Sequence, residues 1–219
     1  MYYFIEPMQE SDIERVQQIE RRSFSTSWSA STYRNELRST TTSRYIVARA
    51  SPNPPPPRIS DPPRRRGLIS NMLAALLGTP PGPSSSPFPI VGYGGLWINV
   101  DDAHITTIAT DPDYRGRGIG ELLLNGLIDQ ALGLNADILT LEVRVSNVVA
   151  QQLYLKYAFR PVGARPRYYT DNGEDALIMS TDPIRETAYQ ERLQKLRELL
   201  FERLRQEAIE PPPLTRAGG

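Results

Sequence analysis

Prolines are so unevenly distributed along this chain that they determine where regular structure can form. Twelve of the 20 prolines lie between Pro52 and Pro89. Each proline removes a backbone N–H donor and biases the residue before it toward extended geometry, so neither SPNPPPPRISDPPRRRG nor TPPGPSSSPFP can continue a helix. We therefore predict that residues 51–89 form one long insertion between two elements of a single domain.

One stretch inside the insertion has a helical pattern. Between the two proline-rich segments, GLISNMLAALLG places apolar residues at helical spacing and ends at Gly78. A short amphipathic helix is predicted, with three roles open to it: docking on the parent domain, contact with a partner or a second copy, and contact with a membrane surface. The preceding run Arg64–Arg66 could contact RNA or an acidic partner, although three charges in such a loop are usually solvated.

Composition excludes several classes of protein and of site. The 25 basic and 25 acidic residues balance, so no overall field favours nucleic acid, and we expect no DNA partner. The chain has no cysteine, which excludes disulfides, thiolate zinc sites and cysteine nucleophiles, and we expect no metal site. The start MYYFIEP lacks a signal-peptide pattern, and no apolar run reaches the roughly 18 residues of a membrane helix. We therefore expect a soluble cytoplasmic protein without a transmembrane segment.

The rest of the chain alternates between strand and helix patterns. Ser11–Glu14 reads as a capping box that opens the first helix. The predicted order is β-α-α-β, then the insertion, then β-β-α-β-α-β-β. This order predicts an α/β fold in which a mixed central sheet of about seven strands is flanked by helices. At 219 residues, one domain with appendages is expected, and we assign it to residues 1–183.

Residues 184–219 form the second predicted unit, an extra C-terminal helix with a frayed tail. An apolar stripe at helical spacing and charges elsewhere make the helix amphipathic, which favours packing on the domain or on another subunit. The stripe consists of Tyr189, Leu193, Leu196, Leu200 and Leu204.

A glycine-rich turn joins a predicted strand to a predicted helix at residues 111–120. Gly116, Gly118 and Gly120 leave backbone N–H groups unshielded at the start of that helix. Orphan donors and the helix dipole favour an anion there, such as a diphosphate. A turn that simply requires positive φ is the alternative, because the pattern is neither GxxxxGK[ST] nor a GxGxxG after a first strand.

A second polar cluster follows the next predicted strand. In LTLEVR the side chains alternate, so Glu142 lies on the sheet face opposite to its apolar neighbours. Asn147 then begins a helix that carries Tyr154 about two turns further on. The end of the strand, the asparagine and the helix bring these polar groups toward the middle of the sheet.

Three stretches of the chain are ITTIATDPDYRGRGIGELLL, LEVRVSNVVAQQLYLKYAF and RYYTDNGEDALIMS. Together they resemble the GCN5-related N-acetyltransferase (GNAT) superfamily, and within it the bacterial ribosomal-protein alanine N-acetyltransferase (RimI-type) branch. Arg115–Gly120 matches the superfamily signature [QR]-x-x-G-x-[GA], and LEVR-x-SN followed by LY-x-K is more specific. The resemblance covers residues 103–181 closely, whereas the insertion and the C-terminal helix match nothing in it. Ala158 stands where the family usually has glycine.

The resemblance implies the GNAT fold, acetyl-CoA as cosubstrate, and direct transfer of acetyl in a ternary complex to the α-amino group of a protein N-terminus. The implied acceptor is the N-terminal alanine of a small-subunit ribosomal protein. Glu142 is implied as general base and Tyr154 as general acid, with Tyr168 and Tyr169 beside the acceptor. The implied acetyl-CoA-binding residues are Thr107, Ile108, Ala109, Thr110, Arg115, Gly116, Arg117, Gly118, Ile119, Gly120 and Asn147. A side chain at Gly118 is expected to obstruct the diphosphate.

Other roles for these residues remain open. Glu142 could simply pair with Arg144 or Arg167, and the three tyrosines could be packed aromatics. His104 lies near a position from which some superfamily members supply a base, and we rank it below Glu142.

Other functions and contacts remain open as well. The enzymatic alternative is an acetyltransferase for a small-molecule amine or a lysine side chain, and the non-enzymatic one is an acyl-CoA-binding scaffold. Self-association or partner contact through the insertion helix or the C-terminal helix is also possible on this sequence.

Overall fold

The computed structural model describes residues 1–54 and 86–209. Within them the elements follow in the predicted order, which confirms the α/β prediction. Two 3₁₀ turns, Glu10–Asp12 and Pro112–Tyr114, precede helices. The strands and helices are β1 (Tyr2–Pro7), α1 (Ile13–Ser23), α2 (Ala30–Arg38), β2 (Ser43–Ser51), β3 (Ile90–Asn99), β4 (Asp102–Thr110), α3 (Ile119–Gly133), β5 (Ile138–Arg144), α4 (Val148–Lys156), β6 (Arg160–Tyr169), β7 (Glu174–Ser180) and α5 (Thr187–Ile209).

The seven strands form one mixed sheet in the order β1-β2-β3-β4-β5-β7-β6. Only the pairing of β4 with β5 is parallel; the other neighbours are antiparallel. Arg49 on β2 is paired with Ile90 on β3, so the insertion leaves and rejoins the sheet at the same end of two neighbouring strands. Its predicted helix at residues 67–78 and the run Arg64–Arg66 lie outside the described residues.

The core has two layers because alternating side chains of the strands point to opposite faces of the sheet. On one face α3 buries Leu123, Leu124 and Leu127 against Ile46 and other strand residues. On the other face α1 and α2 pack against the tyrosine-rich sides of β2 and β3, with Val16, Ile19, Tyr33, Tyr45 and Tyr93 buried. Both layers fix the central strands from which the site is built.

The C-terminal helix α5 packs on its own domain. Tyr189, Leu193, Leu200 and Leu204 of the predicted stripe are buried, and contacts run from α5 to β1 and α3. The tail at residues 210–219 lies outside the described residues. None of the helices within residues 1–54 and 86–209 is long and apolar enough to cross a bilayer.

One predicted local feature is wrong. The capping box expected at Ser11–Glu14 is not formed. It lies two residues earlier, where Gln9 and Asp12 cap the preceding 3₁₀ turn and the Asp12 carboxylate accepts a hydrogen bond from the backbone N–H of Gln9 at 2.9 Å. Helix α1 consequently begins at Ile13.

Candidate active site

Strands β4 and β5 begin as a parallel pair and then separate. They pair from Asp102 with Ile138 as far as Ile105 with Leu141. On its other side β5 pairs with β7 through residues 140–144. Residues 106–110 of β4 have no strand partner on the β5 side among the described residues. Backbone N–H and C=O groups need partners, so this open edge of β4 can bind an extended ligand as a neighbouring strand would.

The glycine-rich loop lies at the far end of that open edge. Gly116 and Gly118 have φ values of +77° and +74°, a left-handed conformation that is costly for residues with a Cβ. Gly118 is the N-cap of α3, so the free N–H groups of the first turn of α3 face the loop. A Cβ built on Gly116 would meet no atom within 4 Å. The loop therefore presents bare backbone donors at a helix N-terminus, which suits a phosphate group.

The surroundings of Gly118 add a second constraint to the sequence-based expectation. A Cβ on Gly118 would lie 2.7 Å from Nη2 of Arg203 and 3.1 Å from Cδ2 of Leu204, both on α5. A side chain here would therefore collide with the C-terminal helix, a contact that the sequence did not predict. Gly116 is the loop glycine whose missing side chain faces open space.

A pocket of about 540 Å³ opens where β4 and β5 separate. Its walls are the two strands, the connection between α1 and α2, and the β6–β7 hairpin. It brings together both implied catalytic residues and both implied acceptor-binding tyrosines. The sequence-predicted residues that line it are Thr107, Ile108, Glu142, Asn147, Tyr154, Tyr168 and Tyr169. Ala109 and Thr110 end β4, and the loop Arg115–Gly120 leads from there into α3.

The Glu142 carboxylate is buried and held on two sides. Its Oε1 lies 3.1 Å from the Arg165 guanidinium, and its Oε2 lies 2.9 Å from Nε2 of His104. The other imidazole nitrogen, Nδ1, lies 2.9 Å from the hydroxyl of Thr140. A carboxylate offers about four lone-pair positions, so these two contacts orient the group and leave capacity to accept a proton.

The alternative pairings of Glu142 with Arg144 or Arg167 are wrong. Arg144 instead binds Asp171 at 2.9 Å and Glu174 at 3.2 Å, and its guanidinium lies 3.8 Å from the ring centre of Tyr169. These contacts fix the β6–β7 hairpin over the pocket.

Tyr154 is a buried residue of α4 whose ring packs on Phe159, with centroids 5.6 Å apart. Burial, and secondarily the neighbouring Tyr169, raise the pKa of its hydroxyl well above the usual range. The hydroxyl is therefore protonated throughout the physiological range. As a neutral hydroxyl it can donate a hydrogen bond to a group that develops negative charge in the pocket.

Three other predicted residues stand around this centre. Asn147 caps α4 through Oδ1, which accepts the N–H of Ala150 at 3.1 Å. Its side-chain NH₂ makes no hydrogen bond to the described part of the chain. Tyr168 is 42% exposed and lies edge-to-face with Tyr169, with centroids 5.2 Å apart. Burial raises the pKa of Tyr169 to about 12, so it too remains a neutral donor.

The sequence analysis did not identify the wall made by the connection between α1 and α2. Phe24 and Trp28 of this connection line the pocket. Glu20 holds it, since its carboxylate accepts the N–H of Trp28 and the hydroxyl of Tyr33, both at 3.0 Å. Burial raises the pKa of Glu20 despite these hydrogen bonds. No motif marks these residues, and only their spatial position reveals their role.

The separating strands, the glycine loop at a helix N-terminus and the pocket between them define a class of proteins. Residues 87–159 match the family model described as Acetyltransferase (GNAT) family. A Bacillus subtilis protein, provisionally named as a [ribosomal protein bS18]-alanine N-acetyltransferase, is 36% identical over 172 residues, which are 78% of this chain and 90% of that protein. The chain belongs to the GNAT family.

Two further comparisons involve Escherichia coli. A [ribosomal protein bS18]-alanine N-acetyltransferase is 43% identical over 85 residues, covering 38% of this chain and 57% of that protein. The crystal structure of the ribosomal-protein-S18-alanine N-acetyltransferase matches with a TM-score of 0.60 and 26% identity, over 84% of this chain and 96% of that one. The NatC complex bound to Gag peptide and CoA shares the fold alone, at 19% identity and a TM-score of 0.60 over 83% and 99% of the two chains.

Membership identifies the protein as an N-acetyltransferase of the acyltransferase class, with acetyl-CoA as its cosubstrate. The site fits that molecule at two places. The open edge of β4 matches a long arm rich in amide groups, and the bare loop before α3 matches a diphosphate.

Proposed function

We propose that this protein transfers an acetyl group from acetyl-CoA to the α-amino group of a protein N-terminus, by direct transfer in a ternary complex. The acceptor we propose is the N-terminal alanine of a small-subunit ribosomal protein, and we place the enzyme in the cytoplasm, where such an acceptor is made. The names of the Bacillus subtilis and Escherichia coli relatives support this acceptor.

One observation carries the proposal. Glu142 and Tyr154 line the same pocket at the point where β4 and β5 separate. The first is a buried carboxylate with capacity for a proton, and the second is a hydroxyl whose raised pKa keeps it protonated. A proton acceptor and a proton donor in one pocket are what acyl transfer to an amine requires.

Acetyl-CoA supplies the acetyl group as a thioester. An α-amino group has a pKa of roughly 7.7–8.0 and is mostly protonated at neutral pH, so it must lose a proton before its nitrogen can attack. Glu142, directly or through a water, accepts that proton. As the new C–N bond forms and the C–S bond breaks, Tyr154 donates its proton to the leaving sulfur. The nitrogen then loses its second proton, which restores the Tyr154 hydroxyl, directly or through a water. The backbone N–H of Ile108 on the open edge of β4 is our candidate donor to the carbonyl oxygen.

We further propose that Tyr168 and Tyr169 contact the first residue of the acceptor and that Asn147 donates to the amide-rich arm. Thr107, Ile108, Ala109 and Thr110 would bind that arm along the edge of β4. The loop Arg115, Gly116, Arg117, Gly118, Ile119 and Gly120 would hold the diphosphate. The free side-chain NH₂ of Asn147 and the exposure of Tyr168 toward the pocket support these assignments.

The test is acetyl transfer to matched peptides. One peptide has a free N-terminal alanine and no lysine; its partner has a blocked N-terminus and an internal lysine. We expect release of free CoA thiol with the first peptide alone. Transfer to the lysine peptide or to small amines would overturn the acceptor assignment, and tight acetyl-CoA binding with no transfer to any amine would favour the scaffold alternative.

A further inference from the structure

The C-terminal helix α5 lies outside the residues that match the GNAT family model, yet it reaches the glycine loop. Leu200 and Leu204 of α5 are buried against Leu122, in the first turn of α3. This packing brings Arg203 to Gly118, where its Nη2 lies 2.7 Å from the position that a Cβ would occupy. A guanidinium from a distant part of the chain thus stands beside the loop that precedes the phosphate-binding helix end.

An acidic residue, Glu121, lies at this helix end with basic partners around it. Its carboxylate lies in the first turn of α3 and is buried, with 8% of the side chain exposed. Lys156 Nζ lies 2.5 Å from it, the Tyr157 hydroxyl 2.8 Å and Arg203 Nη2 3.0 Å. Burial alone would raise the pKa of Glu121, but the hydrogen bonds and charges of these partners outweigh it, so the pKa lies below its ordinary value.

Without those partners, an ionised carboxylate at this position would repel a phosphate. Two cations, Lys156 and Arg203, face this carboxylate, so its negative charge is compensated at the helix end. An N-terminal helix dipole adds to the attraction for an anion. Glu121 therefore serves to hold the two cations at the helix end rather than to exclude the ligand.

Arg203 has N–H donors that are not hydrogen-bonded to the described residues. A guanidinium carries five N–H donors, and the described residues engage this one closely only through Nη2, with Glu207 at 4.0 Å from Nε. Its side chain is 45% exposed, so the remaining edge faces outward beside the loop. Bidentate guanidinium–phosphate pairing is the strong form of such recognition.

We propose that Arg203 of α5 binds a phosphate of the CoA moiety, so that the C-terminal helix is part of the acetyl-CoA site. The phosphate is either one of the diphosphate pair or the 3′-phosphate of the ribose. The proposal rests on acetyl-CoA as cosubstrate, not on the identity of the acceptor.

The test is ligand affinity measured by calorimetry or by NMR titration, without turnover. The ligands are CoA, 3′-dephospho-CoA and pantetheine, which differ in the phosphates they carry. The variants are Arg203→Gln and, as matched control, Arg205→Gln, since Arg205 is a more exposed arginine of the same helix paired with Glu202. Thermal unfolding of each variant checks that the fold is intact.

We expect Arg203→Gln to weaken CoA binding about tenfold, and Arg205→Gln to leave it within about twofold. If Arg203 binds the 3′-phosphate, the loss disappears with 3′-dephospho-CoA; if it binds the diphosphate, the loss persists there and disappears with pantetheine. An equal loss for all three ligands, or no loss with CoA, would overturn the proposal. Arg203→Lys should recover part of the CoA affinity, whereas a variant that merely loosens packing would not discriminate among the ligands. Absence of CoA binding by the unmodified protein would instead refute the acetyl-CoA assignment itself.

Discussion

Replacing Glu142 by glutamine separates a general base from a merely structural carboxylate. The amide has almost the same shape and can still accept a hydrogen bond from His104 or Arg165, but it cannot take a proton. General-base catalysis contributes about 10²–10⁴ in rate, so we expect kcat/KM for a peptide with a free N-terminal alanine to fall about 100-fold or more at pH 7. The fold should suffer little, because Arg165 is 55% exposed and a pair with so exposed an arginine contributes about 1 kcal/mol or less.

The deficit of the variant, which is the factor by which its kcat/KM lies below that of the unmodified enzyme, should depend on pH, and this dependence tests the base assignment more directly. Raising the pH from 7 to 9 increases the deprotonated fraction of an α-amino group from about a tenth to about nine tenths. The variant can use only amine that is already deprotonated, so its deficit relative to the unmodified enzyme should shrink about tenfold over this interval. The matched control is Glu10→Gln, which removes an exposed carboxylate paired with Arg34 at 2.8 Å, outside the pocket. A deficit below about threefold, or one that is flat between pH 7 and 9, would refute the base assignment.

Three further substitutions test other parts of the structure. Tyr154→Phe should lower kcat about 10- to 100-fold through loss of the proton donor while leaving CoA affinity unchanged by calorimetry; an unchanged kcat would remove it as the general acid. Gly118→Val, which drives its side chain into Leu204 and a neighbouring arginine, should reduce the free energy of unfolding in urea by about 3 kcal/mol, against about 1 kcal/mol for Gly116→Ala; equal losses would contradict the packing described. Ala158 has a φ of +63°, so Ala158→Gly should increase the free energy of unfolding in urea by about 1 kcal/mol. A decrease would show that the loss of the alanine methyl group outweighs the relief of left-handed strain.

The order of elements and the glycine loop could be predicted because both depend on local pattern. Alternation in LTLEVR placed Glu142 away from the core, and the left-handed Gly116 and Gly118 are at positions where the sequence has glycine. Ala158 also has a left-handed backbone. The family usually has glycine at this position, so the resemblance indicated the conformation although this chain has alanine.

The contacts that complete the site could not be predicted, because they depend on strand register and on packing between distant segments. His104 reaches Glu142 because it pairs directly with Thr140 on the neighbouring strand. Arg165 comes from β6, which lies beyond β7 in the sheet. Arg203 reaches the glycine loop only because leucines on α5 pack against α3.

The most direct test of the central claim is to locate the acetyl group on a real acceptor. A purified small-subunit bS18 protein with a free N-terminal alanine is incubated with acetyl-CoA and the enzyme, and the product is sequenced by tandem mass spectrometry. We predict one acetyl group, on the α-amino nitrogen of the alanine, and almost none when the Glu142→Gln variant replaces the unmodified enzyme for the same time. The proposed function would be contradicted if lysine side chains were acetylated while the N-terminal α-amino group stayed free, or if this protein were not acetylated at all.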